Sequence, residues 1–296
     1  MRCPARTRQP GHSWSLRLTC ALSSPDLHHR VVRLLEVLEG PASTHMVLEY
    51  AAGGSLQQLI DSDGPLSEPR ARGLMRSLVE AVQHCHERCV SHRDIKLENI
   101  LLEMLPRQPA ATPATEAIAA ATTVSASEHG AEAAAVFSPA PRVSVATPAT
   151  PALCIAAGPP STPATARIAT PTGAPPLIKL IDFGLSAIWE PGKLLATTCG
   201  TLTCMAPEMV RGERYAGPAV DIWSMGIALY CMLSGQLPFE GASEKELRRK
   251  IIRGQFALPL GVSEEARDLV SRMLTLDPER RISLDEIENH AWLCQP

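Results

Sequence analysis

Between residues 104 and 176 the chain is dominated by Ala, Thr and Pro, with repeated Ala-Thr-Pro and Thr-Pro-Ala units, few large apolar side chains and no lysine. Such a composition cannot bury enough apolar surface to offset the entropy of ordering the chain, so the segment is expected to be a disordered insert. Roughly 70 residues also far exceeds the ~4–6 of an ordinary connection. Any fold must therefore be assembled from the two blocks on either side, residues 27–103 and 177–296. The interruption costs little extra, because loop-closure entropy grows only with the logarithm of loop length. Residues 1–26 show neither helical nor strand periodicity and are expected to be a disordered N-terminal segment.

Within the two blocks the pattern is clear. Val31–Leu38 and Met46–Tyr50 are strand-like runs separated by Gly40-Pro41, which suits a hairpin. Ser55 is placed to cap a short helix through Ile60, and Ser67-Glu68-Pro69 to open a long one to about His86. That long helix carries Leu74, Leu78, Val82 and Cys85 on one face. Ile100–Leu102 and Leu177–Ile181 are short strands flanking the insert. Ala219–Leu233 is apolar almost all round, the mark of a helix buried mid-domain. Ser243–Ile252, Ser263–Leu274 and Ser283–Asn289 read as amphipathic helices, each with a Ser cap and acids in its first turn.

The net charge of −3 provides no strong field towards nucleic acid or anionic lipid, and no apolar run reaches the ~18–20 residues of a membrane span. Neither a nucleic-acid nor a membrane partner is expected. Nine cysteines follow no zinc-site spacing, so free thiols in a reducing, intracellular and cytoplasmic setting are expected.

Asp94 and Asn99 stand just before the strand Ile100–Leu102, and Asp182 ends the strand Leu177–Ile181. If these strands pair as a hairpin, all three polar groups emerge at one end and the insert loops from the other. A base and two metal-binding side chains converging from separate segments are what phosphoryl transfer requires, since it needs positioning and charge neutralisation more than covalent help.

At these residues the sequence resembles the eukaryotic protein serine/threonine kinases. His92-Arg93-Asp94 with Asn99 is similar to their catalytic loop, and Asp182-Phe183-Gly184 to their magnesium motif. Ala206-Pro207-Glu208 resembles the end of the activation segment, Asp221–Gly226 the central helix of the large lobe, and Arg281 the partner of the Ala-Pro-Glu glutamate. The order Thr-Thr-Cys-Gly-Thr over 197–201 and the ending Asn289-His290-Ala291-Trp292 resemble the calcium/calmodulin-dependent and AMP-activated kinase group.

The resemblance implies an α+β, protein-kinase-like fold: a mostly helical large lobe with an incomplete small-lobe sheet. It implies ATP and Mg2+ as cofactors, a protein substrate with a Ser or Thr acceptor, and an upstream activating kinase. Asp94 would orient the acceptor hydroxyl and take its proton. Lys96 would neutralise the transferred phosphate, and Thr201 would shape the site for Ser or Thr. Asn99 and Asp182 would hold magnesium. Leu48, Glu49 and Ala51 would form the hinge beside adenine, with Leu101 beneath the ring. Arg93 would answer a phosphate on Thr197 or Thr198. His92 with Phe183, Glu208 with Arg281, and Asp221 would be structural.

The sequence also departs from the family pattern. No lysine precedes Lys96 and no Gly-x-Gly-x-x-Gly occurs, so the lysine that grips the α- and β-phosphates has no counterpart before the catalytic loop. Very weak phosphotransfer by this polypeptide is the resulting expectation. A non-catalytic, pseudokinase-like scaffold stays open as the alternative, to be separated by magnesium-dependent ATP affinity. Around the peptide groove Glu98 is the one acid among Ser55, Glu98, Thr203 and Cys231, which argues against a strongly basophilic preference.

Overall fold

The two strand-like runs near the start of the first block pair as an antiparallel hairpin, β1 (Leu34–Glu39) with β2 (Thr44–Leu48). The pairing begins later than the apolar pattern places it. A register shift lies between Leu34 and Glu36, and Val31 and Val32 leave the hairpin altogether. Val31 bridges Leu180, and the Val32 amide donates to the Leu180 carbonyl at 3.0 Å. The computed structural model describes residues 29–39, 44–103 and 177–295. The expectations for residues 1–26, the Gly40-Pro41 turn and the segment 104–176 lie outside the described residues, all of which belong to one compact unit.

Helix α1 (Leu56–Asp63) starts with a capping box: Ser55 Oγ accepts from the Gln58 amide at 3.2 Å, and Gln58 Oε1 accepts from the Ser55 amide at 2.9 Å. Helix α2 (Glu68–Glu87) buries Leu74, Leu78, Val82 and Cys85, the face that its period marks. Ser67 precedes it but its side chain makes no capping bond. Instead Glu68 reaches across the fold to accept from the Ser263 hydroxyl at 2.7 Å and from Trp292 Nε1 at 2.7 Å. The start of this helix is thus tied to the end of the chain.

Strand β3 (Val90–Ser91) pairs with β6 (Ala187–Ile188), and β4 (Ile100–Leu102) with β5 (Ile178–Leu180), both antiparallel. At the far end of the β4–β5 hairpin the Glu103 amide donates to the Leu177 carbonyl at 2.9 Å, which joins the two ends of the 104–176 segment. At the near end lie Asn99 and Asp182. After the short helix α3 (Pro207–Val210) comes α4 (Gly217–Ser234), the axis of the core. Trp223, Met225, Leu229 and Met232 of α4 are fully buried, and the Trp223 ring stacks on Phe239 with centroids 5.8 Å apart. Helices α5 (Glu244–Arg253), α6 (Glu264–Met273), α7 (Leu284–Glu288) and α8 (Ala291–Cys294) complete the chain. The first three are capped by Ser243, Ser263 and Ser283, each accepting from a backbone amide three residues on. The architecture is α+β: small two-stranded sheets at one end and a mostly helical C-terminal part. No described helix is long and apolar enough to cross a membrane.

Candidate active site

Asp221, on the buried side of α4, is 0% exposed and accepts four hydrogen bonds. The amides of His92 and Arg93 donate to it at 2.9 and 2.7 Å, the Ser91 hydroxyl at 2.9 Å and His86 Nε2 at 2.8 Å. Burial alone would push the Asp221 carboxyl up. The hydrogen bond and charge of His86, with the Arg93 amide and His92, outweigh it and hold the group below its ordinary value. The loop from Ser91 to Asn99 is therefore hung by its backbone from the core helix. It needs that support, because Arg93 sits at φ 65°, a conformation costly for a residue with a Cβ. His86 is a hydrogen-bond partner of this anchor; nothing in its local pattern signals that, since Asp221 lies 135 residues away.

The anchored loop presents Asp94, only 6% exposed, to groups from the activation segment. Its Oδ1 accepts from the Thr201 amide at 2.9 Å and from the Thr201 hydroxyl at 3.0 Å. Its Oδ2 lies 3.2 Å from Lys96 Nζ and 3.3 Å from Asn99 Nδ2, while Lys96 Nζ also donates to Thr201 Oγ1 at 3.0 Å. Burial works against ionisation here too. The Thr201 amide and the Lys96 charge, followed by the hydrogen bonds of Lys96 and Thr201, still lower the Asp94 pKa. Lys96 is raised in turn: desolvation opposes its charge, and the Asp94 carboxylate more than compensates. The close approach of the two segments needs Gly200, which sits at φ 102° and where a Cβ would lie 2.7 Å from the Arg93 carbonyl oxygen.

Asn99 also donates from Nδ2 to the Asp94 carbonyl at 2.9 Å, so its amide is fixed and its Oδ1 is the atom left for a cation. Asp182 adopts the left-handed conformation (φ 63°), with Oδ1 accepting from the Gly184 amide at 3.1 Å. Asn99 and Asp182 terminate the paired strands β4 and β5, and the Ile181 amide donates to the Asn99 carbonyl at 3.0 Å. One carboxylate and one amide oxygen suit magnesium, which takes few protein ligands and completes its shell with phosphate and water. Among the described residues no cluster of three or more His, Cys, Asp or Glu side chains could hold a metal without such help. Beneath, His92 Nε2 donates to the Ile181 carbonyl at 2.9 Å and its ring meets Phe183 edge-on at 4.8 Å, both rings being buried.

The sequence-marked hinge is a connector between β2 and α1. Glu49 spends its carboxylate on structure: it accepts from the Arg33 amide at 2.8 Å and from Lys179 Nζ at 2.9 Å. Lys179, only 6% exposed, is thereby held on β5. What the hinge leaves for a nucleotide is backbone at 49–51. Leu48 and Leu101 are half-buried and Ala51 is buried. Gly53 lets the connector lie on β4, its amide donating to the Leu102 carbonyl at 2.9 Å; a Cβ there would be 2.5 Å from that oxygen. The connector thus offers a ligand its backbone at 49–51 and the side chains of Leu48 and Leu101.

In the activation segment Thr197 and Thr198 are both exposed. Arg93 donates to the Leu185 carbonyl at 2.7 Å, the Ser186 carbonyl at 3.3 Å and the Tyr215 hydroxyl at 3.0 Å. The Tyr215 hydroxyl in turn donates a hydrogen bond to the Thr197 carbonyl at 2.7 Å. Tyr215 was not marked by sequence and is the link between Arg93 and the exposed threonines. Glu208 and Arg281 form a bidentate pair at 2.8 and 3.0 Å, both nearly inaccessible to water, with Arg281 stacked over Trp223 at 5.2 Å. Beside Lys96 and Thr201 opens a pocket of about 290 Å³ whose walls include Glu98, Thr203, Cys204, Cys231 and Glu240. Glu240 adds a second acid that the sequence reading missed. Burial raises the Cys204 and Cys231 thiols to about 12, so both are neutral.

The sequence profile of the protein kinase domain matches residues 18–108 and 169–293. A probable serine/threonine-protein kinase MARK-A of Dictyostelium discoideum is 31% identical over 268 residues, covering 90% of this chain. The chain spans 19% of that relative's length.

Proposed function

This chain belongs to the protein kinase family, homologous to serine/threonine kinases, and on that premise we propose that it transfers the γ-phosphate of ATP to Ser or Thr of a protein. The convergence of Lys96, Asn99 and Thr201 on one ionised, buried Asp94 carries the proposal. A substrate hydroxyl hydrogen-bonded to Asp94 is oriented for in-line attack. Its oxygen forms the new bond to phosphorus, the bond to ADP breaks, and the hydroxyl proton ends on Asp94. Lys96, beside the carboxylate, offsets charge on the moving phosphoryl group. Magnesium at Asn99 and Asp182 would neutralise the phosphates. The Thr-Thr-Cys-Gly-Thr run and the Asn-His-Ala-Trp ending favour the calcium/calmodulin-dependent and AMP-activated group, with Thr197 as target of an upstream kinase.

Turnover is expected to be slow. Lys179 is held by Glu49 and so is not offered as a fixed cation for the phosphates, a contact worth about 10²–10³ in rate. The same observation favours the second reading, a non-catalytic scaffold. Titrating ATP into the full chain with and without magnesium decides between them. Saturable binding that needs magnesium and is lost in Asp182→Asn supports the kinase reading; no magnesium-dependent affinity leaves the scaffold.

A further inference from the structure

The connector between β2 and α1 is pinned at two points, and the pins differ in kind. Downstream the fastening is all backbone: the Gly53 amide donates to the Leu102 carbonyl at 2.9 Å, and the Leu102 amide to the Gly54 carbonyl at 2.8 Å. Upstream one backbone bond, from the Glu49 amide to the Arg33 carbonyl at 2.9 Å, is backed by a side-chain link. Glu49 Oε1 accepts from the Arg33 amide at 2.8 Å and pairs with Lys179 Nζ at 2.9 Å. The Lys179 side chain is 8% exposed and that of Glu49 20%, so the pair is largely screened from water. Between the two pins, the Glu49 carbonyl and the Ala51 amide make no hydrogen bond among the described residues.

Lys179 stands directly opposite Leu101 in the β4–β5 ladder, so the two side chains rise from the same face of that hairpin. A lysine so covered is costly to keep charged without a partner, and removing either charge of the pair strands the other. On the nucleotide-binding reading above, on which this rests, we infer that Lys179 is a positioning residue for recognition of the base. By holding the Glu49 carboxylate it fixes where the 49–51 backbone lies, so that the Glu49 carbonyl and the Ala51 amide meet the donor and acceptor edge of adenine. Guanine carries an oxygen acceptor where adenine carries an amino donor, and so presents the opposite polarity there. A backbone held in place tells the two bases apart, whereas one free to shift adapts to either.

Calorimetric titration of the full chain with magnesium-ATP and magnesium-GTP tests this, alongside amide exchange of the unliganded protein. The wild type should bind ATP more tightly than GTP. Lys179→Met keeps the aliphatic stem and removes the charge. It should weaken ATP by about two- to tenfold, the scale of one hydrogen bond, leave GTP unchanged, and shrink the preference by that factor. Lys179→Arg, which keeps the ion pair, should retain most of the preference. Without ligand, the Glu49 amide should exchange faster in Lys179→Met and not in Lys179→Arg. If Lys179→Met does not fold, Glu49→Gln, which removes the counter-charge but keeps an acceptor for the Arg33 amide, should show the same shrinkage. An ATP preference or a Glu49 exchange rate unchanged in these variants would overturn the inference while leaving nucleotide binding intact. Equal weakening of ATP and GTP, the mark of general loosening, would overturn it too, as would a wild type indifferent to the base. No magnesium-dependent ATP binding by the wild type would instead remove the nucleotide reading, and the inference with it.

Discussion

Thr201 donates twice to one oxygen of Asp94, through its amide at 2.9 Å and its hydroxyl at 3.0 Å, across 107 residues of sequence. The pair locks the activation segment to the catalytic loop, and leaves the other oxygen of Asp94 to Lys96 and Asn99. In an ionised carboxylate so held, both the charge and the orientation are set before any substrate arrives.

Any phosphotransfer by this chain should therefore depend on the carboxylate itself. Asp94→Asn keeps the size and one acceptor oxygen but removes the base. Radioactive phosphate incorporation into a Ser/Thr peptide is expected to fall by about 10²–10⁴-fold, with the circular dichroism spectrum unchanged. Incorporation that survives in Asp94→Asn would place the chemistry elsewhere.

The Glu208–Arg281 pair is buried, so breaking it by removing one partner leaves an unpaired charge. Arg281→Met should cost about 3–5 kcal/mol in urea unfolding. The double replacement Glu208→Leu with Arg281→Met should recover part of that loss, because no charge is then stranded. Recovery would be incomplete, since Arg281 also donates to the carbonyls of Thr275 and Ala219.

Asp94 and Asp221 both have folded-state pKa values below their ordinary ones. The unfolded chain then binds more protons than the folded one at acid pH, so stability rises with pH in that range. The contribution is fully present above the unfolded value near ~4 and is lost as pH falls through the folded values beneath it. Urea midpoints measured from pH 6 downward should drop below about pH 4. Asp221→Asn should start less stable and show a shallower acid slope; an unchanged slope would mean that other carboxylates dominate.

Tyr215 connects Arg93 to the Thr197 carbonyl. Tyr215→Phe removes both hydrogen bonds while leaving the buried ring, at a cost of about 0.5–1.5 kcal/mol per bond. Amide exchange over residues 194–200 should quicken, while exchange in α4 should not. A phosphate on Thr197 would offer Arg93 a stronger, charge-assisted partner. Protection of the same amides should then rise in the phosphorylated chain and fall again in Thr197→Ala.

Much of this was legible in the sequence. Helical period and Ser caps located α5, α6 and α7 within a residue or two and the start of α1, which runs three residues beyond the expected Ile60, because both are local properties. The three polar groups at the end of the β4–β5 hairpin followed from two short apolar runs next to Asp182 and Asn99. The start of β1 was misplaced because Val31 and Val32 carry the same β-branched signal whether they pair with β2 or with Leu180. Ser67 looked like a cap, yet its neighbour Glu68 is what binds, and it binds Ser263 and Trp292.

By itself the sequence pointed to the family and the element types, and nominated the candidate reacting groups, since these depend on residue type and short-range spacing. It also determined that no lysine stands before Lys96. Only the tertiary structure decided that His86 serves Asp221, that Glu49 holds Lys179 on β5, and that Tyr215 joins Arg93 to the activation segment. Each of these contacts spans tens of residues or more, and the burial that gives them their strength exists only once distant segments have packed.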